Sequence, residues 1–236
     1  MKNSSVNWFR RLSDAPVTST LIAINVLVYV AMVVQSHRLV TFDNTTLFVA
    51  GASLSSGGVE PSWRWLTAAF VHVGLPHAAM NLYVLGQIGI LSERALGRGL
   101  IAAAYVVTGV TGNLMSAVLA SVRGEPTLSA GASGAIMGLI GMAAAYAWIS
   151  GQRAAARALA FNILFVLGLG ISLSMGRVAP IDNAAHIGGL VVGVVAGIVR
   201  ARRPRPLSPR TEQVLIAVSL LLTAIAFVIV RVAAVE

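Results

Sequence analysis

The chain has 236 residues, 57% of them hydrophobic and only 11% charged, with a mean hydropathy of +0.83, which excludes an ordinary soluble domain and indicates an all-α, polytopic membrane helix bundle. A net charge of +9 would point to nucleic acid in a soluble protein. Here the basic residues cluster in short segments between apolar runs, so they read as topology determinants and contacts to anionic membrane lipid, with no nucleic-acid partner. The absence of cysteine excludes disulfides, thiolate catalysis and Cys-based metal sites.

Charge-free windows predict seven transmembrane helices, at 15–37, 65–92, 99–122, 126–152, 158–176, 183–199 and 213–230, because a spanning helix needs about 17–25 apolar residues. The first has too long an apolar core for a cleaved signal peptide, and no small-residue cleavage site follows it. The one long connection, 38–66, holds Ser55-Ser56-Gly57-Gly58, Pro61 and Trp63-Arg64-Trp65. Aromatic residues beside a charge suit a headgroup-level, partly inserted loop. The fifth and sixth spans are short. Arg202-Arg203-Pro204-Arg205-Pro206 forms a basic linker before the seventh. There is no internal repeat. The expected division is a six-helix core over 1–201, with a cytoplasmic tail at 1–14, and a linker plus seventh helix over 202–236.

Orientation follows from the placement of lysine and arginine. With the N-terminus inside, Lys2, Arg10, Arg11, Arg94, Arg98, Arg153, Arg157, Arg200, Arg202, Arg203, Arg205 and Arg210 are cytoplasmic. Arg38, Arg64, Arg123, Arg177 and Arg231 are outside. The split is 12 to 5, which predicts a cytoplasmic N-terminus and an external C-terminus. The expected location is the inner membrane of a bacterium.

A serine and a histidine stand out within this apolar frame. Ser133 lies in Gly131-Ala132-Ser133-Gly134, and His186 in Ala185-His186-Ile187-Gly188-Gly189. A hydroxyl and an imidazole in hydrocarbon are expensive unless paired or hydrated, and the two together suffice for nucleophilic acyl transfer. The second, fourth and sixth spans all enter from the outside. His77 and Asn81, Ser133 and His186 therefore fall at a similar depth near the outer face. Gly134, Gly138 and Gly141 on the fourth span, and Gly189, Gly193 and Gly197 on the sixth, are small-residue stripes that let backbones approach closely. Contact along them could bring His186 to Ser133.

His77 and Asn81 are four residues apart and share a helix face. They could donate to a developing oxyanion or form a polar patch that joins helices. Asp182 precedes His186 by four residues and could orient the imidazole, although an aspartate just ahead of a helix is more often an N-cap. His72 reads as structural or interfacial, and Met137 as core or pocket wall. Asn25, Asn113 and Asn162 read as makers of interhelical hydrogen bonds. The tetrapeptide at Ser133 is not a Gly-x-Ser-x-Gly elbow. No His-Glu-x-x-His or other zinc spacing occurs, so no metal is expected. The acidic residues offer no pair within the spans, which argues against an aspartyl protease.

The ordered set Trp63-Arg64, His72, His77-Ala-Ala-Met-Asn81, Glu93-Arg94 with Gly97, Tyr105 with Gly109, Gly131-Ala-Ser133-Gly134, and Ala185-His186-Ile-Gly-Gly189 with Gly193 resembles the rhomboid family of intramembrane serine proteases over roughly residues 60–197. The resemblance implies a Ser133–His186 dyad without a required aspartate or cofactor. It implies an oxyanion site formed by His77, Asn81 and the Ser133 N–H, and transmembrane protein substrates cleaved near the outer membrane face. It also implies a six-plus-one helix arrangement. One departure is Met137, which stands where the family often has an aromatic residue packing on the histidine. The alternative is a catalytically silent rhomboid-like protein acting in binding or quality control. Such a protein would usually lack the serine or the histidine. A transporter would often show repeats or broken helices at the midplane. The oligomeric state is left open.

Overall fold

The computed structural model describes residues 10–55, 63–176, 181–203 and 205–233. Lys2, Arg177, Pro204, Ser56, Gly57, Gly58 and Pro61, used in the sequence reading, lie outside the described residues. In chain order the elements are α1 (Pro16–Ser36), α2 (Asn44–Ala50), β1 (Ser53–Ser55), α3 (Trp63–Thr67), a 3-10 turn (Ala68–Phe70), α4 (Leu75–Leu96), α5 (Arg98–Arg123), β2 (Thr127–Ser129), α6 (Ser133–Ile149), α7 (Arg153–Met175), α8 (Asn183–Arg202) and α9 (Pro209–Ala233). Helices α1, α5, α7, α8 and α9 are long and apolar enough to cross a membrane, and α6 is a shorter apolar helix. Helix α4 has 22 residues but carries His77, Asn81, Glu93 and Arg94. The fold is an all-α bundle of seven long helices, and the protein is an integral, multi-pass membrane protein.

Two of the expected spans are broken by non-helical chain, and a third is longer than expected. The window 65–92 is not one helix. Its start is α3 and the 3-10 turn, and extended chain follows up to Gly74. There Thr41 and Gly74 form an antiparallel bridge, and α4 starts with Pro76 in its first turn. Proline in a first turn costs no helical hydrogen bond. The window 126–152 is also divided, because Thr127–Ser129 pairs antiparallel with Ser53–Ser55. Helix α6 therefore begins at Ser133 itself. A charge count cannot see such breaks, since apolar strands and apolar helices look alike to it. The fifth span is longer than expected, at 23 residues, because Arg153 and Arg157 belong to its first turns. Long basic side chains reach the interface from inside a helix.

The core is centred on α6, whose Met137, Leu139 and Met142 are fully buried together with Ile101 and Tyr105 of α5. Outward-facing residues such as Leu27, Phe161, Leu164 and Leu221 are apolar and exposed, as lipid contact requires. Several buried polar groups are paired across helices. Glu93, 4% exposed, accepts hydrogen bonds from the N–H groups of Val17 (3.1 Å) and Thr18 (2.7 Å) and from the Thr18 hydroxyl (2.7 Å). It thereby caps α1 from the end of α4, placing negative charge where a helix start is electropositive. Asn25 donates to the Tyr105 hydroxyl at 3.1 Å, and Asn113 donates to the Trp65 carbonyl at 2.7 Å. Asn162 is exposed on α7, so it does not play the interhelical role expected of it.

Candidate active site

The chain segment that delivers Ser133 is shaped by Gly131, with φ +140°, a conformation that L side chains rarely adopt. The Gly131 N–H donates to the Ala68 carbonyl at 2.9 Å, which ties the serine loop to the 3-10 turn. A side chain beginning at Gly131 would sit 2.7 Å from Cε1 and 3.1 Å from Nε2 of His77, and 3.6 Å from Oγ of Ser133. The imidazole and the hydroxyl thus border one small space that only glycine leaves open. Ser133 is the first residue of α6, so its own N–H is among those a helix leaves without an internal partner.

His186 arrives on the first turn of α8, which packs more extensively against α6 than against any other element. The seam runs through glycines. A Cβ on Gly134 would meet the Ala185 carbonyl oxygen at 3.2 Å. A Cβ on Gly189 would strike the Gly134 carbonyl, one on Gly193 the Gly138 carbonyl, and one on Gly197 the Met142 carbonyl. Ser133 and His186 are the immediate neighbours of the touching pair Gly134 and Ala185. Two further glycines seat the same helices on α5: Gly138 faces Thr108, and Gly188 faces Met115 and the Thr111 carbonyl. His186 is 4% exposed and lies within electrostatic reach of both Asp182 and His77.

No side-chain hydrogen bond joins Ser133 to His186 among the described residues, and the buried Nδ1 of His186 has no partner. Catalytic hydrogen bonds are often long in ligand-free sites and tighten when substrate binds. Asn81, one turn along α4 from His77, is 6% exposed and donates through Nδ2 to the His77 carbonyl at 3.0 Å. That nitrogen carries a second hydrogen available to a ligand. His72 lies before α4 rather than on it, fully buried, with its ring 5.3 Å from that of His77 and edge-on to it. Met137 is 1% exposed in the core.

Asp182 is the N-cap of α8. Its Oδ1 accepts from the Ala185 N–H at 2.9 Å, and its Oδ2 from the Ser129 hydroxyl at 2.6 Å. Both oxygens are engaged away from His186, which favours the capping reading over a triad. Trp63 and Arg64 lie away from this cluster. The Arg64 guanidinium donates to the carbonyls of Phe48 (2.6 Å) and Ala52 (3.1 Å) and stacks 3.7 Å from the Phe48 ring centroid. It is 5% exposed, so it is the internal brace of the long connection rather than a headgroup contact. Sequence reasoning missed the β1–β2 ribbon, the link from Gly131 to Ala68 and the bond from Ser129 to Asp182. All join residues far apart in sequence and leave no local pattern.

The model of the Rhomboid domain family matches residues 60–203. The chain is 32% identical over 180 residues to "Rhomboid protease GluP" of Bacillus subtilis, covering 76% of this chain and 34% of that protein. It is 31% identical over 174 residues to "RHOMBOID-like protein 7" of Arabidopsis thaliana, covering 72% and 54%. It is 28% identical over 173 residues to "Rhomboid-type serine protease 2" of Emericella nidulans, covering 72% and 33%. The chain therefore spans about a third to a half of the length of these relatives. With a family match over most of the bundle and the motif residues gathered at one end of α4, α6 and α8, the chain belongs to the rhomboid family.

Proposed function

We propose that this chain is an intramembrane serine endopeptidase that cleaves transmembrane-helix substrates near the outer membrane face. Ser133 is the nucleophile and His186 the general base. His186 removes the hydroxyl proton as Oγ attacks the scissile carbonyl, then delivers that proton to the leaving amine. Water attacks the acyl-enzyme and His186 again accepts and returns a proton, which regenerates Ser133. The Ser133 N–H, His77 and Asn81 donate to the carbonyl oxygen as its charge develops. None of these steps calls for a metal or cofactor.

The observation that carries this reading is the space beside Gly131, bordered by the Ser133 hydroxyl and the His77 imidazole, next to the seam that brings in His186. Helix α6 supports it. Its 17 residues span about 26 Å at 1.5 Å per residue, less than the roughly 30 Å of a hydrocarbon core. One end of it must therefore lie inside that core, and we take this to be the Ser133 end, with water reaching it from the nearer face. The 12-to-5 split of basic residues supports an external position for that end and a cytoplasmic N-terminus, and the inner membrane of a bacterium is the proposed location.

A fluorophosphonate probe tests the reading, because it reacts only with an activated serine. Labelling of the purified protein at Ser133, abolished in His186→Ala, is the expected result. A folded protein that takes no label and cleaves no model single-span substrate would instead match the catalytically silent alternative.

A further inference from the structure

The seventh helix contributes no residue to the site, yet it touches the structure that holds the serine. Its two ends are fastened differently. At one end, Gly97 closes α4 and opens α5 with φ +102°. It has no side chain to cap the first N–H groups of α5, which a helix leaves unpaired. The Glu212 carboxylate on the first turn of α9 takes that place, accepting from the Gly99 N–H at 2.9 Å. Two glycines make the room. A Cβ on Gly97 would strike Glu212 Oε1, and a Cβ on Gly99 would lie 2.7 Å from both the Cα and the carbonyl oxygen of Glu212. A carboxylate at a helix start is also favoured by the helix dipole.

From there the buried residues of α9 follow one stripe, Ser219, Thr223, Ala226 and Val230. The far end lies beneath the serine loop's anchor. The Phe227 ring meets that of Phe70 edge-on at 5.9 Å, and Phe70 packs on Tyr105 at 5.3 Å. Phe70 and Tyr105 are both fully buried. Tyr105 donates to the Ala69 carbonyl at 2.9 Å, and the neighbouring Ala68 carbonyl holds the Gly131 N–H. Ser133 stands two residues further on. The line runs through ring contacts, hydrogen bonds to backbone and the one- and two-residue chain segments that join them.

We propose that α9 is a positioning element for the nucleophile. Glu212 fixes its height against α5, and Phe227 then backs the 3-10 turn that sets the Gly131–Ser133 loop. The inference rests on the reading of Ser133 as nucleophile. Neither Glu212 nor Phe227 meets substrate, so their loss acts on turnover rather than on substrate affinity. A shift of about 1 Å at the reacting atoms can cost on the order of 100-fold, and the relay through the 3-10 turn passes on only part of it.

The experiment measures kcat and KM on a single-span substrate in proteoliposomes, together with the fluorophosphonate labelling rate and thermal unfolding. The proteins are wild type, Phe227→Ala, Phe227→Leu, Glu212→Ala, Glu212→Gln and the lipid-facing control Val228→Ala. The expected result is a fall of about tenfold in kcat and labelling rate for Phe227→Ala and Glu212→Ala with KM unchanged. Phe227→Leu, which refills the space, and Glu212→Gln, which keeps an acceptor for Gly99, should restore most of the loss. Val228→Ala should match wild type. Folded Phe227→Ala and Glu212→Ala proteins with kcat within about twofold of wild type would overturn the inference. So would losses confined to KM, or losses that only follow the unfolded fraction and are not rescued. Wild type that neither labels nor cleaves would overturn the protease reading, and this inference with it. Normal wild-type labelling with unchanged variants overturns this inference alone.

Discussion

Helices α8 and α7 are neighbours of similar length, 20 and 23 residues, and they are held in opposite ways. Helix α8 meets α6 through Gly134, Gly189 and Gly193, close enough that a methyl group would land on a backbone carbonyl. Helix α7 buries only Ala156 and Gly170 and turns Phe161, Leu164 and Phe165 outward. Both are apolar, so hydropathy does not distinguish them. In lipid the hydrophobic effect does not drive helices together, and association depends on how closely backbones can pack. Ser133 and His186 lie at the end of the glycine seam, where position is tightly determined, His77 and Asn81 face them from α4, and none of the four lies on α7.

The largest effect should come from placing a branched side chain in that seam. Gly189→Val and Gly193→Val should each abolish cleavage and lower the unfolding temperature, because the colliding atoms are backbone and cannot turn aside. Phe161→Ala on α7 is the matched control, expected to keep near wild-type activity. Cleavage and thermal unfolding measured side by side decide the matter. A stable, active Gly189→Val protein would mean that the seam does not set the site.

Gly131→Ala should come next. It forces an unfavourable φ and crowds His77, and a loss of about 100-fold or more in turnover is expected. A fluorophosphonate rate like that of wild type would contradict the tight geometry drawn at this loop. His77→Ala and Asn81→Ala should each lower kcat by about tenfold with KM little changed. Donors in a site that admits water give less than the roughly 100-fold of a sealed one. Unchanged turnover in both variants would reduce the pair to a structural patch.

The smallest effect should be that of Asp182. Asparagine is as good an N-cap, so Asp182→Asn should leave activity within about threefold of wild type, while Asp182→Ala should lose about 1 kcal/mol of stability. A loss of activity in Asp182→Asn as deep as in His186→Ala would restore the triad reading.

The helical bundle was legible in the sequence because every span is a run of apolar residues, and Arg and Lys punctuate the runs. The motif residues were legible as polar exceptions within those runs. What stayed hidden has a common cause. The breaks at 65–74 and 126–132 carry no charge, so the charge-free windows run straight through them, although Gly74, Pro76, Pro126 and Gly131 stand there as breaker residues. Glu93 and Glu212 cap helices other than their own, and Ser129 reaches Asp182 across 53 positions. Such contacts depend on chain paths that no local spacing encodes. The glycine stripes were visible as stripes, but which carbonyl each one faces required the packed helices.

The most direct test is a cleavage assay on a single-span substrate with purified wild type, Ser133→Ala, His186→Ala and the double variant, all confirmed as folded. The account predicts that either single substitution removes cleavage and that the double variant is no worse than either one, because nucleophile and base act as a unit. Cleavage by Ser133→Ala at a rate approaching that of wild type would contradict it.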